Sequence, residues 1–260
     1  ITFSLLSIKK IMVTKQKQKV QTNLAIKKCT KEFSYGFLQL HKKVILQNID
    51  LQINQWTIVG LVWPNWAGKT TLLSCIVGIE KPTKWTIQLF WENISTKTLQ
   101  KIWFSPDNTQ YYDHLTWLEN LLLIWSLNTN SHENIENSAK QLLHEVWLGF
   151  ARDSFVANYS LGMKKRLGLA MSLINDPQLL IRDEPMSWLD PIWRHIIKEL
   201  LLRLKKQGKT ILFSTHILPD VSSCADSVAL MNNWQILHYC TLEKISSSLE
   251  DFFLSKVGAK

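Results

Sequence analysis

Gly60-Leu61-Val62-Trp63-Pro64-Asn65-Trp66-Ala67-Gly68-Lys69-Thr70-Thr71 is the stretch on which the fold turns. It continues an apolar run, Thr57–Val62, and opens a helical pattern from Lys69 to about Val77. Strand, loop and helix in that order suit a phosphate-binding turn of the form G-x-x-x-x-G-K-[ST]. Successive backbone N–H groups must wrap an anion there, which requires conformations that glycine adopts freely. The helix N-terminus adds partial positive charge. Gly68, Lys69 and Thr70 fit the pattern. Lys69 would reach the β- and γ-phosphates of a nucleotide, and Thr70 would hold Mg2+. Trp63 stands where the first glycine is required, so the strict pattern fails.

About 115 residues on comes Leu179-Leu180-Ile181-Arg182-Asp183-Glu184-Pro185. A strand ending in Asp-Glu sets two carboxylates at its C-terminal edge, where α/β sheets bind ligands. Asp183 is expected to bind Mg2+, directly or through water, and Glu184 to polarise the attacking water. Arg182 departs from the apolar run, and a charge within a buried strand is costly unless paired. Strands are expected at 24–33, 44–53, 86–90, 101–105, 210–214, 227–231 and 235–239, with helices at 192–206 and near 219–223. Residues 118–174 read as mostly helical, with loops near 128–132 and 152–159. The alternation predicts an α/β fold with a mostly parallel sheet.

Bulk composition agrees with a globular chain. Of 260 residues, 46% are hydrophobic and 20% charged, which excludes a disordered chain, and no repeat marks a fibre. No uncharged apolar stretch reaches about 18 residues, so no membrane span is expected. Cys29, Cys75, Cys224 and Cys240 have neither zinc nor disulfide spacing. The chain opens on Ile1, and Met12 offers a translation start. The early lysines follow the short apolar start, the wrong order for a signal peptide. Net charge is +9, and part of it sits in Lys9, Lys10, Lys15, Lys17, Lys19, Lys27 and Lys28. No aromatic residue interleaves that run, so it reads as a solvated tail and no nucleic acid is expected as a partner.

Together these residues resemble the ATP-binding subunit of ABC transporters. Tyr159-Ser160-Leu161-Gly162-Met163-Lys164-Lys165-Arg166-Leu167 is similar to the family's signature motif, in the Leu-Gly-Met form of bacitracin, lantibiotic and multidrug exporters. Ser187-Trp188-Leu189-Asp190 resembles the D-loop, and Ser214-Thr215-His216 the switch-histidine loop. The resemblance spans about residues 24–255 in order and spacing. It implies a P-loop NTPase core with an antiparallel β subdomain and an inserted helical subdomain at about 106–176. A basic tail (1–22) would precede the domain (23–240) and a helical tail (241–260) would follow it.

The resemblance also implies roles. The phosphate loop, Trp63 and Asn65, Trp66, Ala67, Gly68, Lys69, Thr70 and Thr71, would hold ATP, with adenine stacked on Phe33 or Tyr35. Thr70 and Asp183 would hold Mg2+. Asp107 falls where the family holds Gln, or Glu in many drug exporters, and would contact Mg2+-bound water. Ser160, Leu161, Gly162 and Met163 would contact ATP held by a second ATP-binding subunit, with Asp190 crossing between the two. His216 would contact the γ-phosphate beside Glu184. A membrane-spanning permease would dock near residues 103–127, placing the chain on the cytoplasmic face of the membrane.

Composition holds one anomaly: Trp 12 against Gly 9. At about 7% glycine, roughly 18 would be expected. Trp56, Trp63, Trp66, Trp85, Trp91, Trp103, Trp147, Trp188, Trp193 and Trp234 fall at positions resembling family glycines, and Trp56 and Trp85 read as turn residues. A source that reads UGA as glycine, translated with a table in which UGA is Trp, explains excess and deficit together. Adding the twelve to the nine gives 21 glycines. Literal tryptophans instead predict an ATP-blind relic, since indoles would collide with phosphates. A non-transport ABC ATPase of translation or DNA repair is a further alternative. Against it, such chains usually carry two such domains or a long coiled coil.

Overall fold

The computed structural model describes residues 21–35, 41–63, 68–107, 110–126, 135–151 and 153–258. Pro64, Asn65, Trp66 and Ala67, the tail with Met12, and Arg152 lie outside the described residues, as does the loop expected near 128–132.

Two long strands, β1 (Thr22–Tyr35) and β2 (His41–Asn54), pair antiparallel. With β4 (Lys84–Leu89) and β5 (Glu92–Asn93) they make a sheet in the order β2-β1-β4-β5. On β2 the buried Leu46, Ile49, Leu51 and Ile53 are separated by exposed residues, the pattern of a sheet wet on one face.

The second sheet is built differently. Its strands β3 (Ile58–Val62), β6 (Ile102–Ser105), β7 (Leu179–Asp183), β8 (Thr210–Thr215), β9 (Ser227–Asn232) and β10 (Gln235–Thr241) run in the order β10-β9-β3-β8-β7-β6. All pairs are parallel except β10 on β9. Every residue of β3, β7 and β8 is buried, which is why these strands read as continuous apolar runs.

Side chains alternate across that sheet with period two. Leu179, Ile181 and Leu212 face a core shared with helix α1 (Lys69–Ile76) and the antiparallel sheet. Leu180, Ile211 and Phe213 face the opposite core. That core is packed by α3 (Trp117–Ser126), α4 (Ile135–Glu145), α5 (Leu161–Leu173), α6 (Pro191–Lys206) and α7 (Leu218–Cys224). A one-turn α2 (Thr96–Leu99) and a terminal α8 (Leu249–Val257) complete the helices among the described residues. The α/β class, the mostly parallel sheet and the helical segment agree with the sequence reading. The two-residue β5 and α2 were not anticipated. Trp85 is a correction: it lies within β4 rather than in a turn.

Register decides where function can sit. Val62 of β3 pairs with Thr215 of β8, and Asp183 of β7 with Ser214. Trp63, the Asp-Glu pair and His216 therefore leave the sheet at one edge, at the carboxyl ends of parallel strands.

Candidate functional site: a nucleotide-binding edge

Lys69 is the first residue of α1, preceded by Gly68 at φ 80°. A Cβ on Gly68 would lie 2.5 Å from the Ile45 carbonyl oxygen, so both backbone angle and space demand glycine there. The Lys69 ammonium lies 2.8 Å from Asp183 Oδ1 and 3.3 Å from Glu184 Oε1. Asp183 also accepts a hydrogen bond from Ser214 Oγ. Glu184 Oε2 lies 2.9 Å from His216 Nδ1. One ammonium, two carboxylates and an imidazole thus form a continuous row of polar contacts. The side chains of Lys69, Asp183 and Glu184 are 14%, 4% and 14% exposed, and that of His216 50%. Thr70 is exposed in the first turn of α1, beside Thr71.

Glu184 adopts φ 48°, in the left-handed region. Its N–H donates to Ser214 Oγ at 3.0 Å, and its carbonyl accepts from Ser187 Oγ at 3.0 Å. A non-glycine residue held there costs of order 1–3 kcal/mol and persists because its surroundings fix it.

Phe33, on β1, is 39% exposed, and the Lys31 ammonium lies 4.5 Å from its ring centroid. Ser160 caps α5, accepting from the Met163 N–H. Leu161 is 56% exposed. A Cβ on Gly162 would come no nearer than 3.7 Å to Leu189, so the fold itself leaves room for a β-carbon. Asp190 caps α6, accepting from Ile192 and Trp193. The neighbouring Trp188 and Ile192 are 80% and 71% exposed. Asp107 lies 2.7 Å from Lys165 Nζ. Sequence reasoning assigned no role to Lys165, Ser187 or Ser214; all three stood inside quoted motifs, but only the folded chain brings them to Asp107 and Glu184.

Arg182 is buried on the face opposite Asp183, between Ser105 and Phe213. Its Nε and Nη1 have no hydrogen-bond partner among the described residues, and burial pushes its guanidinium down to about 10.

The tryptophans divide by conformation. Trp56, Trp91, Trp147, Trp188 and Trp234 take φ between 53° and 67°. Phe90 and Trp91 form the two-residue turn from β4 to β5, both at positive φ. Asn233 and Trp234 do the same between β9 and β10. Hairpin turns of this kind favour Asn-Gly. Trp147 follows α4, where Leu148 N–H bonds the Leu143 carbonyl and Trp147 N–H the His144 carbonyl. That is the Schellman arrangement, whose left-handed position is usually glycine. Trp63 and Trp117 are buried rather than turn-exposed. The Trp63 ring centroid lies 4.1 Å from Lys69 Nζ, so indole covers the ammonium a phosphate would need.

Comparison with known proteins supplies the family. The ABC transporter family model matches residues 46–187. The chain is 34% identical over 227 residues to the lantibiotic transport ATP-binding protein SrtF of Streptococcus pyogenes, covering 86% of this chain and 93% of that one. It is 31% identical over 232 residues to the bacitracin transport ATP-binding protein BcrA of Enterococcus faecalis (85% and 74%). It is 33% identical over 245 residues to the uncharacterized ABC transporter ATP-binding protein sll0415 of Synechocystis (93% and 69%). A solved ATP-binding subunit of an ABC transporter superposes with TM-score 0.80 at 26% identity, covering 90% of this chain and 99% of that one. The fold is shared with the cassette MJ0796, solved as a dimer bound to ADP and Pi, at TM-score 0.76 and 22% identity, over 85% of this chain and all of that one. Motif order, edge geometry and these likenesses agree: the chain belongs to the ATP-binding subunits of ABC transporters.

Proposed function

We propose that the protein binds and hydrolyses ATP with Mg2+ and drives export through a separate membrane permease, with a drug or peptide antibiotic as cargo. The observation that carries this reading is the row Lys69–Asp183–Glu184–His216 at the carboxyl edge of β3, β7 and β8. Its donor set suits the group implied: an exposed hydroxyl on Thr70 and the Asp183 carboxylate are hard oxygen ligands, beside an ammonium. Thr70 and Asp183 would hold Mg2+, which neutralises charge on the phosphate oxygens. Lys69 holds phosphate oxygens at the helix N-terminus. Glu184 accepts a hydrogen bond from the attacking water, and His216, bonded to the same carboxylate, fixes its orientation. Phe33 offers an exposed ring for adenine.

The signature residues complete the site of a second subunit. Gly162 has room for a β-carbon in this chain, so its glycine serves a ligand approaching from outside rather than internal packing. A permease docks near residues 103–127. Support comes from an open pocket of about 410 Å3 where Asp113 and His114 of that segment meet Phe155, Ala157 and Asn158. Among the described residues no helix is long and apolar enough to cross a membrane, so a spanning path would be supplied by that partner.

We also propose that the tryptophans at glycine-like sites are glycine in the cell, through UGA read as glycine. Among the described residues, five of them take left-handed backbone, at about 1–2 kcal/mol each for a side-chain-bearing residue. Their sum rivals the usual stability of a whole domain, about 5–15 kcal/mol. UGA codons there and glycine masses in native peptides support the proposal, whereas UGG codons refute it. The activity is tested in chains carrying Trp63→Gly and Trp66→Gly. ATP hydrolysis that requires Mg2+ is expected, and absence of both ATP binding and hydrolysis would overturn the reading.

A further inference from the structure

The Lys165 side chain is 9% exposed, and its ammonium joins three segments. It lies 2.7 Å from Asp107 Oδ1 beyond β6, 2.9 Å from Ser187 Oγ and 3.4 Å from the Glu184 carbonyl. Ser187 Oγ closes the cluster, donating to the same carbonyl at 3.0 Å and lying 3.4 Å from Asp107 Oδ1. Lys165 belongs to α5, the helix that begins at the signature residues. The carbonyl it reaches is that of Glu184, whose backbone is held at φ 48°.

We infer that Lys165 is a positioning residue: it pins the left-handed backbone of Glu184, and through it the carboxylate facing Lys69 and His216, to the signature helix. Its charge is balanced by Asp107, which makes the link an ion pair rather than a neutral contact. Movement of α5 on engaging a second subunit is thereby transmitted to the residue that orients water. Losing a charged hydrogen bond changes a local equilibrium by roughly tenfold or more. The rate arm of the test rests on the ATP-hydrolysis reading; the exchange arm does not.

The full chain is compared with Lys165→Met, Lys165→Arg and Ser187→Ala. Amide hydrogen exchange over residues 184–190 without nucleotide should quicken roughly tenfold in Lys165→Met, less in Ser187→Ala, and stay near the parent rate in Lys165→Arg. In chains with glycine at 63 and 66, Lys165→Met should lower kcat roughly tenfold while KM for ATP moves less than about threefold. Unchanged exchange in a folded Lys165→Met, or equal loss in Lys165→Arg and Lys165→Met, overturns the inference. If Lys165→Met does not fold, Ser187→Ala decides by the same exchange measurement. A parent that neither binds nor hydrolyses ATP refutes the ATPase reading alone, and the exchange result still decides the link.

Discussion

The two halves of the proposed nucleotide site differ in how they satisfy their own groups. At the phosphate-loop edge the described side chains are tied to one another: Lys69 pairs with Asp183 and Glu184, and Glu184 contacts the His216 imidazole. At the signature edge, Ser160 and Asp190 cap helices, while Leu161, Trp188 and Ile192 stand 56%, 80% and 71% exposed. One edge is closed within the chain and poised for an anion. The other leaves apolar surface and a half-buried glycine with space for a β-carbon, which suits a surface completed by a second subunit.

Substitutions should separate the halves, all in chains carrying glycine at 63 and 66. Glu184→Gln should lower kcat about 10²–10⁴-fold with ATP affinity nearly unchanged, read by phosphate release and by ATP titration. Rates within twofold of the parent would remove Glu184 from its role. Gly162→Asp should lower hydrolysis at least about tenfold by setting a carboxylate against the partner's phosphates. The melting temperature should stay unchanged, because a Cβ there meets nothing nearer than 3.7 Å. A lowered melting temperature would make Gly162 a packing residue instead. Arg182→Leu acts behind the closed edge. Removing a buried charge whose Nε and Nη1 have no hydrogen-bond partner among the described residues should stabilise the fold by at least about 2 kcal/mol in denaturant titration, with ATP affinity unchanged. Trp147→Gly lies in neither half and should give the smallest effect, about 1–2 kcal/mol of added stability. That corresponds to roughly 2–4 °C per kcal/mol in a thermal melt. A loss of stability would mean that the indole packs better than its backbone angle costs.

Much of this architecture was readable from local pattern. Buried parallel strands are continuous apolar runs, so β3, β7 and β8 declared themselves, and the Asp183-Glu184 pair ended one of them. What local pattern could not reach depends on convergence of distant segments. Asp107, Lys165 and Ser187 meet although 58 residues separate the first two and 22 the last two. Trp85 shows the opposite failure: its flanking Pro82-Thr83-Lys84 reads as a turn, yet pairing of β4 with β1 draws it into a strand. The tryptophan anomaly was visible as a count. Only backbone angles divide it, among the described residues, into five left-handed positions and others, such as Trp103 in β6 and Trp193 in α6, whose backbone any residue could adopt. Arg182 stood out in both views, and nothing in the fold explains its charge.

The central claim is that one chain carries two incomplete half-sites that ATP joins. It is tested by the mass in solution of the Glu184→Gln chain with glycine at 63 and 66, followed by light scattering with and without ATP and Mg2+. The account predicts a monomer that becomes a dimer when ATP is added, and remains a monomer with ADP. A chain that binds ATP and stays monomeric at saturating nucleotide would contradict it.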